Sequence, residues 1–143
     1  MKAITVRQPW VWAMQFAGKD VENRSWKCPP AMFGTRVAIH ASKYWSRAVM
    51  RNDVKFVGTL ARRIISLPSI YVTLQCSLGC VCGTAEIVPL DETSPWWMGE
   101  YGFGLRNMMW LPKPIPCRGA LRFWRVPDDV LSQIVAQDFE VTR

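Results

Sequence analysis

Residues 7–42 read RQPWVWAMQFAGKDVENRSWKCPPAMFGTRVAIHAS, and the rest of the chain is read around them. Just before this stretch, Ala3-Ile4-Thr5-Val6-Arg7 alternates, with Ile4 and Val6 on one face, and predicts a strand. Pro9 suits the first turn of a helix. Trp10, Ala13, Met14 and Ala17 then recur at helical spacing, and Gly18 is placed to end the helix in a left-handed conformation. Asp20 to Ser25 predicts a second strand, with Glu22 and Arg24 on one face and Val21 and Asn23 on the other. Lys27-Cys28-Pro29-Pro30 breaks it, and Arg36 to Ala41 predicts a third. Lys19, Glu22 and Arg24 therefore fall close together beside a helix end. Charges near a core must pair or reach solvent, and in a cleft they suit proton transfer and anion recognition.

Outward from this stretch the pattern is less regular. Lys43 to about Leu67 predicts an interrupted helix, with an apolar stripe of Trp45, Val49, Phe56, Leu60 and Ile64, ended by Pro68. Its basic residues, Arg47, Arg51 and Lys55 among them, suit a solvated face or a phosphate-binding one. Tyr71-Val72-Thr73-Leu74 is expected as a short strand or loop, Leu78 to Leu90 as a strand, and Asp91 to Gly99 as a loop or short helix. Tyr101 to Leu111 predicts a strand that Pro112, Pro114 and Pro116 end. Ala120 to Val126 predicts a last strand and Pro127 to Val135 a closing helix. About six strands with two or three helices, not strictly alternating, indicate an α+β fold with a small, mostly antiparallel β-barrel in one domain spanning 1–143. Ile4, Val6, Val21, Val37, Ile39, Val81, Ile87 and Leu121 are expected to share its core.

With 143 residues, half of them hydrophobic, the chain can bury a core and is not disordered. The net charge of +7 favours a polyanionic partner, and eight Trp offer flat faces for bases as well as core volume. The sequence shows no signal peptide and no apolar run near the roughly 20 residues that span a bilayer. A cytoplasmic protein with reduced thiols is expected. Cys76, Cys80 and Cys82, with Cys117 or His40, offer zinc-ligand chemistry. Their spacing is not C-x-x-C, so buried free thiols are preferred, and neither a metal nor a cofactor is expected.

Three motifs together, Ile4-Thr5-Val6-Arg7-Gln8-Pro9-Trp10, Gly18-Lys19-Asp20-Val21-Glu22-Asn23-Arg24-Ser25-Trp26 and Ile39-His40-Ala41-Ser42-Lys43, resemble the ASCH domain of the PUA-like superfamily. Gly83-Thr84-Ala85-Glu86-Ile87, Tyr101-Gly102-Phe103 and Pro114-Ile115-Pro116-Cys117-Arg118-Gly119 extend the resemblance over nearly the whole chain. It implies a PUA-like barrel with a basic cleft beside the first helix and an RNA, nucleotide or nucleoside ligand. The family is functionally mixed: RNA-binding modules, ribonucleases, and a bacterial member that hydrolyses N4-acetylcytidine with Lys, Thr and Glu. Its Lys-x-x-Thr resembles Lys19-Asp20-Val21-Glu22 here, with Glu22 in place of the hydroxyl. A carboxylate there acts as a general base on water while Lys19 stabilises an oxyanion. Binding is thus the first expectation, and hydrolysis of an N4-acylcytidine-type amide or of RNA is the alternative. Lys19 and Glu22 are the candidate catalytic pair. Gln8, Arg24, Trp26, His40, Ser42, Lys43 and Tyr101 are the candidate ligand-binding residues. Each has a structural role to weigh: an ion pair for Lys19 and Glu22, a helix cap for Gln8 and Ser42, an interior hydrogen bond for His40. Trp10 is expected in the core, and Trp26 is the better stacking face.

Overall fold

The structure, a computed structural model, describes the backbone of residues 1–141 and the side chains of residues 1–137. The elements run β1 (Lys2–Val6), α1 (Trp10–Phe16), β2 (Val21–Arg24), a 3-10 turn (Pro30–Met32), β3 (Arg36–Ala41), α2 (Arg47–Leu60), α3 (Leu67–Ser77), β4 (Cys80–Val88), β5 (Tyr101–Pro116), β6 (Phe123–Arg125) and α4 (Asp128–Val141). The strands make one six-stranded sheet in the order β2-β5-β4-β3-β1-β6. Only β1 and β3 are parallel; the other neighbours are antiparallel. The fold is α+β, and the sheet curls into a half-barrel. Among the described residues no helix is long and apolar enough to cross a membrane.

The curl has local causes. Glu86 faces Arg106 and Thr84 faces Met109, so β5 carries one residue more than β4 over that interval. Asn107 takes up the excess with φ 50°, and its side chain donates to Glu86 Oε2 at 2.9 Å. Such a bulge bends a strand and raises its twist. The concave side holds Ile4, Val6, Val37, Ile39, Ile87 and Phe103. A second cluster joins α1, α2 and α3 to Val21 and Trp96, and a third puts α4 over Ala38, Val81 and Ile115. The expected core residues are therefore buried, but in three clusters. Leu121 is the exception at 91% exposure, because the last strand is only Phe123–Arg125 and Leu121 lies in the loop before it.

Other boundaries also differ. Tyr71 to Leu74 lies inside α3, not in a strand or loop: the β-branched run misled, while Ile70 and Leu74 are buried at helical spacing. Pro68 does not stop a helix; it sits in the first turn of α3, where a missing N–H is harmless. β5 continues to Pro116, past the expected break. Its partner pairing jumps from Trp110 opposite Gly83 to Ile115 opposite Val81, so Pro112 and Pro114 fall where the β4–β5 ladder is interrupted. The closing helix runs beyond Val135, to Val141.

Candidate functional site

β2 lies at one edge of the sheet and pairs with β5, which sets Glu22 opposite Phe103 and Arg24 opposite Tyr101. Cross-strand partners share a face, so Glu22 and Arg24 look with Phe103 into the concave side. Lys19 reaches the same place from the end of α1. Gly18 has φ +74°, a conformation that glycine adopts without strain, and the Lys19 amide bonds back to the Ala13 carbonyl at 3.1 Å. The Lys19 Nζ donates to the Val21 carbonyl and meets Glu22 Oε2 at 3.4 Å, while Arg24 Nη2 meets Glu22 Oε1 at 2.8 Å. One carboxylate thus lies between two cations. Lys19 is 2% exposed and Glu22 6%. Burial lowers the Lys19 pKa below the ordinary lysine value; Glu22 opposes that shift and Arg24 adds to it.

Trp10 and Trp26 flank this cluster, both half-buried. The Lys19 Nζ is 6.0 Å from the centre of the Trp10 ring. Trp26 has the Arg24 and Arg122 guanidiniums at 5.8 and 5.4 Å, and packs on Phe103 and Phe123 at 6.0 and 5.5 Å between ring centres. Phe123 belongs to the opposite edge strand, so these aromatic rings join the two edges of the curled sheet. Tyr101 is exposed at the start of β5.

His40, Ser42 and Lys43 lie elsewhere. Thr5 pairs with His40 between β1 and β3, and both alternate with the concave-side residues Ile4, Val6 and Ile39, so their side chains leave the other face. There a cleft of about 850 Å³ is bounded by Thr5, His40, Ser42, Lys43, Arg118 and Gly119. His40 is buried, and its Nε2 donates to the Cys117 carbonyl at 2.8 Å, which leaves Nδ1 as the lone-pair nitrogen without a partner. Burial lowers the His40 pKa, so the ring is held neutral. Trp124 donates from Nε1 to Thr5 Oγ1 at 3.0 Å and meets the His40 ring edge to face. A Cβ on Gly119 would lie 2.5 Å from His40 Cε1 and 2.8 Å from Thr5 Oγ1, so only glycine lets the 117–121 loop lie this close. Lys43 and Arg118 are exposed, and neither has a carboxylate within ion-pair distance among the described residues.

The candidate residues thus form two groups on opposite faces of the sheet. Lys19, Glu22, Arg24 and Trp26 are together on the concave side, and His40, Ser42 and Lys43 are together in the outer cleft. Thr5 connects them: its backbone carbonyl accepts from Arg24 Nη2 at 2.6 Å, and its side chain lines the cleft. Gln8 serves the helix, accepting from the Trp12 amide at 3.0 Å and donating to Ser77 Oγ at 2.7 Å. Ser42 caps no helix; its Oγ accepts from the Tyr44 amide, and α2 starts later behind Ser46. Thr5, Gly79, Arg118 and Gly119 were not among the expected site residues, although Arg118-Gly119 behind a proline run was a visible signal.

Cys80 and Cys117 line the outer cleft with His40, but Cys76 is not with them. Cys76 is exposed on α3, whereas Cys80 and Cys82 are buried in β4. Burial pushes the Cys82 thiol up to about 12. Among the described residues no group of three or more metal-ligating side chains is placed to hold an ion. Compared with models of known families and with curated proteins, the chain finds no match.

Proposed function

We propose that this protein is an RNA- or nucleotide-binding domain of the ASCH, PUA-like kind, and that its ligand enters the outer cleft between Thr5, His40, Lys43 and Arg118. The observation that supports it most is a pair of cations, without a carboxylate partner among the described residues, at the mouth of a cleft large enough for a nucleotide. Lys43 and Arg118 suit a phosphate. Ser42 and Thr5 offer hydroxyls to a sugar or base edge. The net charge of +7 supports a polyanion, and the free thiols support a reducing compartment such as the cytoplasm. A panel of nucleosides, nucleotides and short RNAs, scored for binding and for turnover, tests this reading. Binding that survives Lys43→Gln with Arg118→Gln would sink it.

A second reading, hydrolysis of an N4-acylcytidine-type amide or of RNA, draws on Lys19. A buried lysine whose pKa is pushed down beside a carboxylate is a recurrent catalytic arrangement. Glu22→Gln then abolishes turnover while ligand still binds. A parent protein that leaves every substrate of the panel intact removes this reading.

A further inference from the structure

We propose a second nucleic-acid contact in the groove between α2 and α3, where a single-stranded RNA continues from the outer cleft. This inference rests on the reading of the cleft as a nucleotide site.

The groove encloses about 570 Å³. Arg47, Arg51 and Lys55 line it at four-residue spacing, so they form one row on an exposed face of α2, successive members about 6 Å apart along the axis. That is close to the separation of adjacent phosphates on an extended strand. Among the described residues none of the three has an ionic partner, because the one nearby acid on α2, Asp53, turns to Arg7 at 3.0 Å. The row keeps its charge for something outside the chain.

Trp45 and Tyr71 stand in the same groove, edge to face at 5.5 Å between ring centres. Tyr71 is exposed and Trp45 half-buried. Cations alone would suit any polyanion. Cations beside partly exposed aromatic rings suit a single strand, whose phosphates pair while its bases stack. An acidic polypeptide would use the charges and leave the rings idle.

The groove also adjoins the cleft. Ser42 and Lys43 line the cleft, while Trp45 and Arg47 line the groove, so one short segment between β3 and α2 is the wall of both. A strand with one nucleotide in the cleft would carry its next phosphates along Arg47, Arg51 and Lys55.

The test is a length series of mixed-sequence single-stranded RNA, of one, two, four and eight nucleotides, titrated at several salt concentrations. The parent is compared with R47Q/R51Q/K55Q and, separately, with K43Q/R118Q. The parent should bind the longer RNAs more tightly than the mononucleotide. The triple variant should lose that gain by tenfold or more at low salt. Its slope of log affinity against log salt should flatten by about 2, near 0.7 for each single-strand phosphate that is no longer neutralised. The cleft variant should weaken all lengths, the mononucleotide included. If the triple variant keeps the length gain and the slope, the groove inference fails while the cleft reading stands. If the parent binds no RNA of any length, both fail. If the triple variant loses affinity for polyglutamate but not for RNA, the groove belongs to an acidic polypeptide and the inference is overturned.

Discussion

Arg24 on β2 donates from Nη2 to the main-chain carbonyl of Thr5 on β1 at 2.6 Å, although three strands stand between β2 and β1 in the sheet. The same nitrogen meets Glu22 Oε1 at 2.8 Å. A side chain from one end of the sheet thus grips the backbone near the other. Together with the rings of Trp26, Phe103 and Phe123, it closes the open side of the half-barrel without a strand ladder. It also reaches the backbone of the residue whose hydroxyl lines the outer cleft.

Arg24→Leu should therefore destabilise strongly. It removes one of two cations from a buried carboxylate and leaves the Thr5 carbonyl without its donor. Breaking a buried ion pair from one side costs about 3–5 kcal/mol. Urea unfolding should show a loss in that range, with an altered near-ultraviolet signal from Trp26. A loss under about 1 kcal/mol would show that the edges are held by the aromatic rings alone.

The Lys19–Glu22 pair predicts an asymmetric cycle. Lys19→Met takes one cation from Glu22 and the donor from the Val21 carbonyl, but it leaves Glu22 with Arg24 and removes the cost of burying the ammonium, so the loss should be smaller than for Arg24→Leu. Glu22→Gln leaves two cations facing each other near the core and should cost about 3 kcal/mol. Combining the two relieves that repulsion, so the double variant should be more stable than Glu22→Gln alone. Simple additivity would mean that the two side chains act independently in the folded protein.

Much of this was legible in the sequence, and the reasons differ by element. Gly18 and the alternation of residues 20–25 placed Lys19, Glu22 and Arg24 together because both signals are local. The three-residue β6 was not legible, since Arg122 takes a positive φ that cuts the strand short, nor was the helical Tyr71–Leu74, where burial of Ile70 and Leu74 at helical spacing overrode β propensity. The separation of His40 from Glu22 depends on how β1 and β3 pair in a curled sheet. No periodicity within a single strand reports which face its neighbour presents.

His40, the only histidine in the chain, gives a prediction about pH. Its folded pKa lies below the ordinary value of about 6.5 because burial disfavours the charged ring. Below that pH the unfolded chain takes up a proton that folded His40 refuses. Stability should then be fully present above about pH 6.5 and fall as pH drops from there toward the folded pKa. Denaturant midpoints between pH 5 and 8, compared with those of His40→Gln, isolate this contribution. Equal slopes for parent and variant would place the titration elsewhere.

Gly119 separates a role in the fold from a role in the cleft. Its missing Cβ is what lets the loop lie on the His40 ring and Thr5. Gly119→Ala must push that loop outward or tilt the ring, straining the bond from His40 Nε2 to the Cys117 carbonyl. Overpacking of this kind costs about 1–3 kcal/mol. The loop carries Arg118, one of the two cations at the mouth, so moving it should cost nucleotide affinity as well. Comparing affinity well below the melting temperature removes the stability component, because both proteins are then fully folded. Affinity should still drop for Gly119→Ala. By contrast, Leu121→Ala, at an exposed position of the same loop, should leave stability close to the parent's. A Gly119→Ala protein that melts earlier yet binds nucleotide like the parent would detach the loop from recognition and leave Lys43 as the cleft's remaining phosphate ligand.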